Sequence, residues 1–287
     1  MSIASVLIAS DKSDGPAASS VSGLTAGPHY SLLLSTDPAL IDAAQRLRYD
    51  VFSSTPGFAL PAATDGRDAD RFDEHCDHLL VRDDDTGELV GCYRMLPPPG
   101  AIAAGGLYTA TEFDVRAFDP LRPSLVEMGR AVVREGHRNG GVVLLMWSGI
   151  LAYLDRCGYD YVTGCVSVPI NGPDDGTARA EPGSQIRGVR DFVMRRHASD
   201  YRVRPYRPVS IAGRGINDIP PPARPALPAL MRGYLRLGAQ VCGEAAHDPE
   251  FAVGDFCVLL DKRHADVRYL RRLRSMSAAA QSGEGAR

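Results

Sequence analysis

A strand, a glycine turn, a long apolar helix and a second strand follow one another in the middle of this 287-residue chain. Residues 125–133 and 159–168 are rich in β-branched side chains, and residues 141–157 form an apolar run of helical length. Two strands joined through a helix lie parallel, with a right-handed crossover between them. This succession predicts an α/β fold in which a mixed sheet is flanked by helices.

Further strands and helices extend the predicted sheet on both sides of this unit. An acidic turn over residues 83–87 joins two strand-like runs, and an antiparallel hairpin is the simplest connection. Residues 97–106 are predicted as a loop, and a helix and a strand follow a proline-rich connector near the C-terminus. The predicted strands are 29–34, 76–81, 89–96 and 251–260, and the predicted helices are 37–52, 186–197 and 229–241.

The two ends of the chain differ from the rest in composition. Residues 1–28 and 275–287 are rich in Ser, Ala and Gly, so they cannot bury enough apolar surface to offset the entropy of ordering. We predict disordered tails there and one folded domain over residues 29–274. Because we find no targeting or membrane-spanning segment in the sequence, we expect a cytoplasmic protein.

The charge of the chain argues against a nucleic-acid-binding protein. The formal net charge is −3, whereas a nucleic-acid-binding domain carries a basic stripe. Basic residues nevertheless concentrate in residues 262–274. This stretch is either an exposed terminal helix or a docking patch for an acidic carrier protein or anionic lipids, which would place the protein at a membrane surface.

A metal site is not expected. Asp73, His75, Cys76 and His78 lie close in sequence, but no second ligand cluster has matching spacing, and strand alternation would divide these side chains between two faces. We also expect no bound cofactor.

The turn before the long helix is a candidate phosphate-binding site. A helix that begins after a glycine turn presents backbone N–H groups and the positive end of its dipole, which suits the phosphate of a phosphopantetheine arm. An ordinary strand-to-helix turn would have the same composition. The turn consists of Arg138, Asn139, Gly140 and Gly141.

The preceding strand holds the candidate catalytic residues. Glu127 and Arg130 lie three positions apart, and in a regular strand they would face opposite sides. A bulge at Gly129 would bring both side chains to one cleft and free a backbone N–H for a carbonyl oxygen. Glu127 would then accept a proton from an attacking amine. A simple ion pair on the surface is the alternative.

Other charged residues lie in apolar surroundings, where a charge is costly unless it is paired. We expect them to form one network around a bound substrate, with the carboxylates holding cationic groups and an arginine gripping a carboxylate. These candidate substrate-binding residues are Arg48, Phe52, Asp70, Asp73 and Arg94. Candidates for an apolar acyl groove are Trp147, Leu227, Leu230, Met231 and Leu235.

The same residues resemble the signature of the acyl-homoserine-lactone synthases, which have the GNAT N-acetyltransferase fold. The spacing matches at Arg48 and Phe52, at Asp70 and Asp73, at Arg94, and at Glu127 and Arg130, but Phe58 stands where that family has Trp. A closer resemblance is to the bacterial ornithine N-acyltransferases of ornithine-lipid synthesis, and it covers about residues 30–262. The motifs that carry it are residues 48–52, 72–81, 90–94, 127–130, 233–239 and 255–261.

That resemblance implies a reaction and its two substrates. The donor would be a 3-hydroxyacyl group on acyl carrier protein, the acceptor would be the α-amine of ornithine, and the product would be lyso-ornithine lipid. The alternatives are an acetyl-CoA-dependent N-acetyltransferase of small molecules and an acyl-homoserine-lactone synthase. A lipid-binding protein without catalysis remains a third possibility at this point.

Overall fold

The computed structural model describes residues 5–9, 29–55, 65–138, 140–171, 181–268 and 270–271. Some of the predictions above concern residues outside these ranges. They include Phe58, Asn139, residues 1–4 and 10–28 of the predicted N-terminal tail, residues 272–274 of the basic stretch and the predicted tail over 275–287.

One mixed sheet of nine strands forms the centre of the described chain. The strands of the sheet are β1 (Ser5–Ala9), β2 (Tyr30–Ser35), β3 (Asp77–Asp83), β4 (Leu89–Leu96), β6 (Leu125–Val133), β7 (Tyr161–Pro169), β11 (Gln240–Val241), β12 (Ala246–Asp248) and β13 (Val253–Asp261). The remaining strands are β5 (Phe113–Asp114), β8 (Arg204–Pro205), β9 (Ser210–Ile211) and β10 (Arg214–Gly215). The strand order of the sheet is β1-β2-β3-β4-β6-β7-β13-β11, and β12 also pairs with β13. Two small antiparallel pairs, β5 with β8 and β9 with β10, lie apart from the sheet.

Helices cover both faces of the sheet. Successive side chains of each strand point to opposite faces, so neighbouring strand residues pack against different helices. Leu80 packs in a cluster with Leu47 of the first helix, whereas Leu79 packs with Trp147 of the third. The sheet is therefore buried on both sides, which explains why its strands read as nearly continuous apolar runs. The helices are α1 (Pro38–Ser53), α2 (Pro98–Ala103), α3 (Gly141–Cys157), α4 (Ser184–Arg196) and α5 (Ala229–Leu237).

The predicted strand–helix–strand unit is confirmed, and its two strands separate soon after they begin. β6 and β7 are parallel, and they pair only where Leu125–Glu127 of β6 lie beside residues 161–163 of β7. At Gly164 the backbones are so close that a Cβ atom would lie 2.2 Å from the carbonyl oxygen of Met128. Beyond that point β7 continues to pair with β13 as far as Pro169, so β6 and β7 diverge and leave a cleft.

Three expectations are corrected by the described structure. Ser5–Ala9, within the predicted tail, pairs with β2, because Val6, Leu7 and Ile8 favour a strand at an open sheet edge. The predicted loop over 97–106 contains α2, which begins at a proline pair that suits the first helical turn. The helix predicted over 229–241 ends at Leu237, since Gly238 takes a positive φ of 98° and stops it.

Candidate active site

The cleft between β6 and β7 opens into a cavity of about 1040 Å³. Strand residues of β6 and β7, the first turns of α3 and residues 226–230 line it. Of the predicted groove residues, Trp147, Leu227 and Leu230 lie on its wall, whereas Met231 is fully buried in the main core. Leu235 also packs against that core. The charged or acidic residues on the wall are Arg94, Glu112, Glu127, Arg130, Arg138, Asp248 and Asp255.

The predicted bulge on β6 is present and brings Glu127 and Arg130 to the same cavity. Gly129 is paired with Arg94 and Val132 with Cys92, so β6 has one residue more than β4 in this interval. Arg130 has a positive φ of 53°, an unfavourable conformation for a residue with a side chain. The bulge also removes backbone groups of β6 from regular pairing with β4.

Glu127 is 4% exposed, and both of its carboxylate oxygens accept hydrogen bonds from the turn at Tyr108 and Thr109. Oε2 accepts the backbone N–H of Tyr108 at 2.5 Å, and Oε1 accepts the backbone N–H of Thr109 at 2.6 Å. The Thr109 hydroxyl donates to Oε1 as well. Burial raises the pKa of Glu127, while the donors of Thr109 and Tyr108 act in the opposite direction. Glu127 is thus a buried carboxylate on the cavity wall with an extensive set of hydrogen bonds.

A second group of carboxylates forms ion pairs with arginines. Arg48 on α1 is 1% exposed and donates through both terminal nitrogens to Asp73, at 2.9 and 2.8 Å. Gln45 donates to the same carboxylate at 3.1 Å. Burial acts to raise the pKa of Asp73, but the guanidinium groups of Arg48 and Arg94 outweigh it and hold that pKa well below its usual value.

Arg94 extends this group towards the cavity. Its Nη1 donates to Asp70 at 2.6 Å and to Asp73 at 3.2 Å. Asp68 lies 2.9 Å from Nε of Arg48 and 3.1 Å from Nε of Arg130, but neither N–H points at the carboxylate oxygen, so these contacts are ion pairs without a hydrogen bond. We call Arg48, Asp68, Asp70, Asp73 and Arg94 the ion network.

The ion network changes the predicted roles of the substrate-binding residues. Phe52 and Arg94 line the cavity as expected. Arg48, Asp70 and Asp73 are not among the residues of the cavity wall, and their charges are balanced within the protein. The structure gives no support to the prediction that Asp70 and Asp73 hold cationic groups of the acceptor: Asp73 joins Arg48 of α1 to Arg94 of β4, whereas Asp70 joins Arg94 to Arg130 of β6.

The predicted phosphate-binding turn lies where β6 leads into α3. Gly140 caps the helix with a positive φ of 88°, and no side chain caps it. Arg138 lines the cavity and donates to the backbone oxygen of Val133 at 3.0 Å. Gly141 begins the helix, and binding of a phosphate at this turn stays a prediction.

One group of cavity residues was not predicted from the sequence. Glu112, Asp248 and Asp255 each present a carboxylate oxygen, and these three atoms lie within 4.8 Å of one another. They come from the segment before β5, from β12 and from β13, so no local spacing relates them. The only hint was Asp255, which begins one of the motifs shared with the ornithine N-acyltransferases. We call these three residues the acidic cluster.

The carboxylates of the acidic cluster have few partners, although Oδ1 of Asp248 accepts the backbone N–H groups of Glu250 and Phe251 at 2.8 and 3.1 Å. Asp255 is 4% exposed, and its Oδ1 accepts the Ser167 hydroxyl at 2.6 Å. Oε2 of Glu112 is buried and has no hydrogen-bond partner among the described residues. Burial, together with the charges of Asp255 and Asp248, raises the pKa of Glu112 to about 9. Burial also raises the pKa of Asp255, to about 6. The three oxygens are close enough to hold a metal ion, so the absence of a metal site stays a prediction.

The sequence of the chain matches known proteins. Residues 47–148 match the family model described as an acetyltransferase (GNAT) domain. An L-ornithine N(alpha)-acyltransferase of Brucella abortus (strain 2308) is 34% identical over 250 residues, covering 83% of this chain and 86% of the relative. The chain belongs to the L-ornithine N(alpha)-acyltransferase family. A family member of Rhizobium meliloti (strain 1021) is 34% identical over 247 residues, covering 83% of this chain and 81% of its own.

Two solved structures of low sequence identity align with most of this chain. An N-acyl amino acid synthase, FeeM, from uncultured soil microbes has a TM-score of 0.48 at 14% identity and covers 88% of this chain and 98% of its own. A CoA-dependent acyl-homoserine lactone synthase, BjaI, has a TM-score of 0.46 at 12% identity and covers 84% of this chain and 82% of its own.

Membership in the family confirms the predicted GNAT fold and the predicted acyltransferase class. The enzyme is an acyltransferase, so the possibility of a lipid-binding protein without catalysis is set aside. In the parts of this acyltransferase that the structure describes, each helix is too short or too polar to cross a membrane.

The described part of the basic stretch already has some acidic partners. Lys262 donates to Asp155 at 3.0 Å, and Arg263 pairs with Asp261 at 2.8 Å. Arg268 and Arg271 are exposed. The docking patch predicted for this acyltransferase therefore stays a prediction, with some of its charge already used within the chain.

Proposed function

We propose that the enzyme transfers a 3-hydroxyacyl group from acyl carrier protein to the α-amine of ornithine and forms lyso-ornithine lipid. One observation carries the proposal: a single cavity runs along the cleft between β6 and β7 and is lined both by apolar side chains and by the carboxylates near the β6 bulge. At about 1040 Å³ it matches the upper end of sites for ligands of drug size, roughly 300–1,000 Å³. Such a volume suits a long acyl chain better than an acetyl group.

The reaction is direct aminolysis of a thioester. The acceptor ammonium first gives up a proton to a carboxylate of the site, for which Glu127 is our candidate. The neutral amine then attacks the carbonyl carbon, the N–C bond forms, and the C–S bond breaks. The second amine proton goes to the leaving sulfur, so the products are an amide and the free thiol of the carrier.

Groups at the β6 bulge would assist these steps. A backbone N–H released by the bulge can donate to the oxyanion, and such a donor typically contributes about 3 kcal/mol. Arg130 is better placed than Arg94 to bind the acceptor carboxylate, because Arg94 makes short hydrogen bonds within the ion network. The guanidinium of Arg130 lies 5.0 Å from the ring centre of Tyr108 and 5.5 Å from that of Phe251.

The donor would reach the cavity past the turn that begins α3. Its phosphopantetheine phosphate would bind at Arg138, Asn139, Gly140 and Gly141, and an acidic carrier protein would dock against the exposed basic residues near Arg268. A cytoplasmic enzyme with peripheral contact to the membrane through residues 262–274 would meet both the carrier and the bilayer that receives the product.

The test is product analysis with purified enzyme. Ornithine is supplied with 3-hydroxyacyl carrier protein, with the matching acyl-CoA or with acetyl-CoA, and products are identified by mass spectrometry. We expect N-acylornithine from the carrier-bound donor. Rapid acetylation from acetyl-CoA, or a lactone formed from S-adenosylmethionine, would overturn the proposal.

A Glu127→Gln variant tests the predicted proton acceptor. We expect kcat to fall by about 10²-fold or more, the usual contribution of a positioned acid or base. Glu88→Gln is the matched control, since the same chemical change is made at an exposed turn and should leave kcat unchanged. A folded Glu127→Gln enzyme with full activity would remove Glu127 from the mechanism.

A further inference from the structure

We propose that Glu112, Asp248 and Asp255 form the subsite that binds the side-chain ammonium of the acceptor, so that the enzyme selects a diamino acid over a neutral amino acid. This inference rests on the proposed function, because it concerns the acceptor of that reaction. All three side chains line the same cavity as Glu127 and Arg130. An acceptor bound with its α-amine beside Glu127 would extend its side chain within that one cavity.

The first support is the supply of unpaired acceptor oxygens. Asp255 is nine-tenths buried, yet only its Oδ1 has a hydrogen-bond partner among the described residues, the Ser167 hydroxyl. Oε2 of Glu112 is also buried and unpartnered. A buried polar atom without a partner is costly, so such atoms in a cavity wall indicate a missing donor. An ammonium group supplies three N–H donors, and the three carboxylate oxygens lie within 4.8 Å of one another.

The second support is the local charge. Arg130 is the cation that most affects the cluster, but it also pairs with Asp68 at 3.1 Å and with Asp70 at 3.4 Å. One shared guanidinium cannot pair with all three carboxyl groups, so the site has room for a second cation, which would favour their ionised forms. The titratable or charged groups that face Glu112 are Asp248, Asp255, Arg130, Glu127, Tyr108 and Cys165.

Binding of the acceptor at the acidic cluster should depend on pH. Burial and the charges of Asp255 and Asp248 favour the protonated form of Glu112 in the empty site at neutral pH. An incoming ammonium group favours the ionised carboxylate, so binding expels that proton. The KM for ornithine should therefore fall as the pH rises towards 9, whereas the KM for an acceptor without a side-chain amine should not show this trend.

The test compares ornithine with norvaline, which has the same carbon chain without the side-chain amine. For the wild-type enzyme we expect kcat/KM to favour ornithine by about 10²-fold or more, because norvaline leaves buried carboxylates unpaired. In the variants Glu112→Gln and Asp255→Asn this preference should fall towards equality through loss of ornithine turnover. Glu88→Gln, at an exposed turn, should keep the wild-type preference.

The outcomes separate this inference from the proposed function. If wild-type enzyme acylates ornithine and norvaline equally well, the enzyme class stands and the subsite is refuted. If neither amino acid is acylated, the proposed function fails first. Unchanged preference in both folded variants would refute the subsite, and so would activity that requires a divalent cation removed by EDTA. Should a variant not fold, the wild-type preference and its pH dependence still decide the matter.

Discussion

The ion network and the acidic cluster both gather carboxylates near β6, but they differ in how the charges are balanced. In the ion network each carboxylate contacts an arginine, and Asp73 accepts two hydrogen bonds from Arg48 alone. Among the described residues no carboxylate of the acidic cluster forms an ion pair with an arginine, and Oε2 of Glu112 has no hydrogen-bond partner there either. The pKa values move in opposite directions: that of Asp73 is lowered, and that of Glu112 is raised.

This difference separates structure from function. A buried carboxylate that is already paired stabilises the fold and has little capacity left for a ligand. A buried carboxylate without a partner costs stability, and a protein retains it where a ligand supplies the missing charge. The ion network therefore holds α1 against β4, and the acidic cluster is kept ready for the acceptor.

Breaking the ion network should have the largest effect on stability. Asp73→Asn leaves Arg48, 1% exposed, without its bidentate partner, and we expect the free energy of unfolding to fall by about 3–5 kcal/mol. Urea unfolding measures this. Asp42→Asn, which breaks the exposed pair of Asp42 with Arg46, is the control and should change little. A loss at Asp73 no larger than the loss at Asp42 would contradict a structural role.

The loss of stability at low pH follows from the same ion pair of Asp73 with Arg48. Because the pKa of Asp73 is lowered by folding, its stabilising contribution is present above the ordinary carboxyl pKa of about 4 and is lost as the pH falls through the lowered value. Wild-type enzyme should therefore lose stability faster than Asp73→Asn below about pH 4. Parallel acid profiles of the two proteins would count against this account.

Neutralising Glu112 of the acidic cluster should raise the free energy of unfolding, whereas breaking the ion network should lower it. The pKa of Glu112 is raised by folding, so its contribution is present below the ordinary value of about 4.3 and is lost as the pH rises towards about 9. Glu112→Gln avoids that loss and should be more stable than wild type by about 1–2 kcal/mol at neutral pH. Thermal unfolding should show the gain at pH 7.5 and none below pH 4. A destabilised variant at neutral pH would place Glu112 with the structural carboxylates.

The smallest expected effect is the coupling between the two regions. The double variant of Asp73→Asn and Glu112→Gln should differ from the sum of the single changes by less than about 0.5 kcal/mol, because the two side chains share no direct contact. Arg130 is the residue that could link them, since it pairs with Asp70 and influences Glu112. A larger coupling would show that the ion network and the acidic cluster act as one unit.

The sequence predicted the fold well where patterns are local. The limits of β6 and α3 agree with those expected, because apolar periodicity and the glycines around α3 are both present in the chain itself. The bulge was also predictable, since Gly129 separates two charged residues that share a cavity. The early end of α5 was missed because the apolar run continues into β11, and only the positive φ of Gly238 interrupts it.

The sequence could not distinguish paired from unpaired carboxylates. Asp73 and Asp255 both lie next to apolar strands, but their partners come from α1 for Asp73 and from β7 for Asp255. Glu112 and Asp248 lie far apart in the chain and meet only through the packing of the sheet. The prediction that Asp70 and Asp73 bind the acceptor came from charged residues in apolar surroundings, which do not show that arginines already pair with them. The same patterns do not bring the three residues of the acidic cluster together.

The most direct test of the central claim is a proton count during ornithine binding. Calorimetric titrations of the wild-type enzyme in buffers with different ionisation enthalpies measure the protons released at neutral pH. We predict release of a proton with ornithine, none with norvaline, and none with ornithine in Glu112→Gln. Binding of ornithine to the wild-type enzyme without proton release, or equal release by norvaline, would contradict the claim that unpaired carboxylates await a cationic side chain.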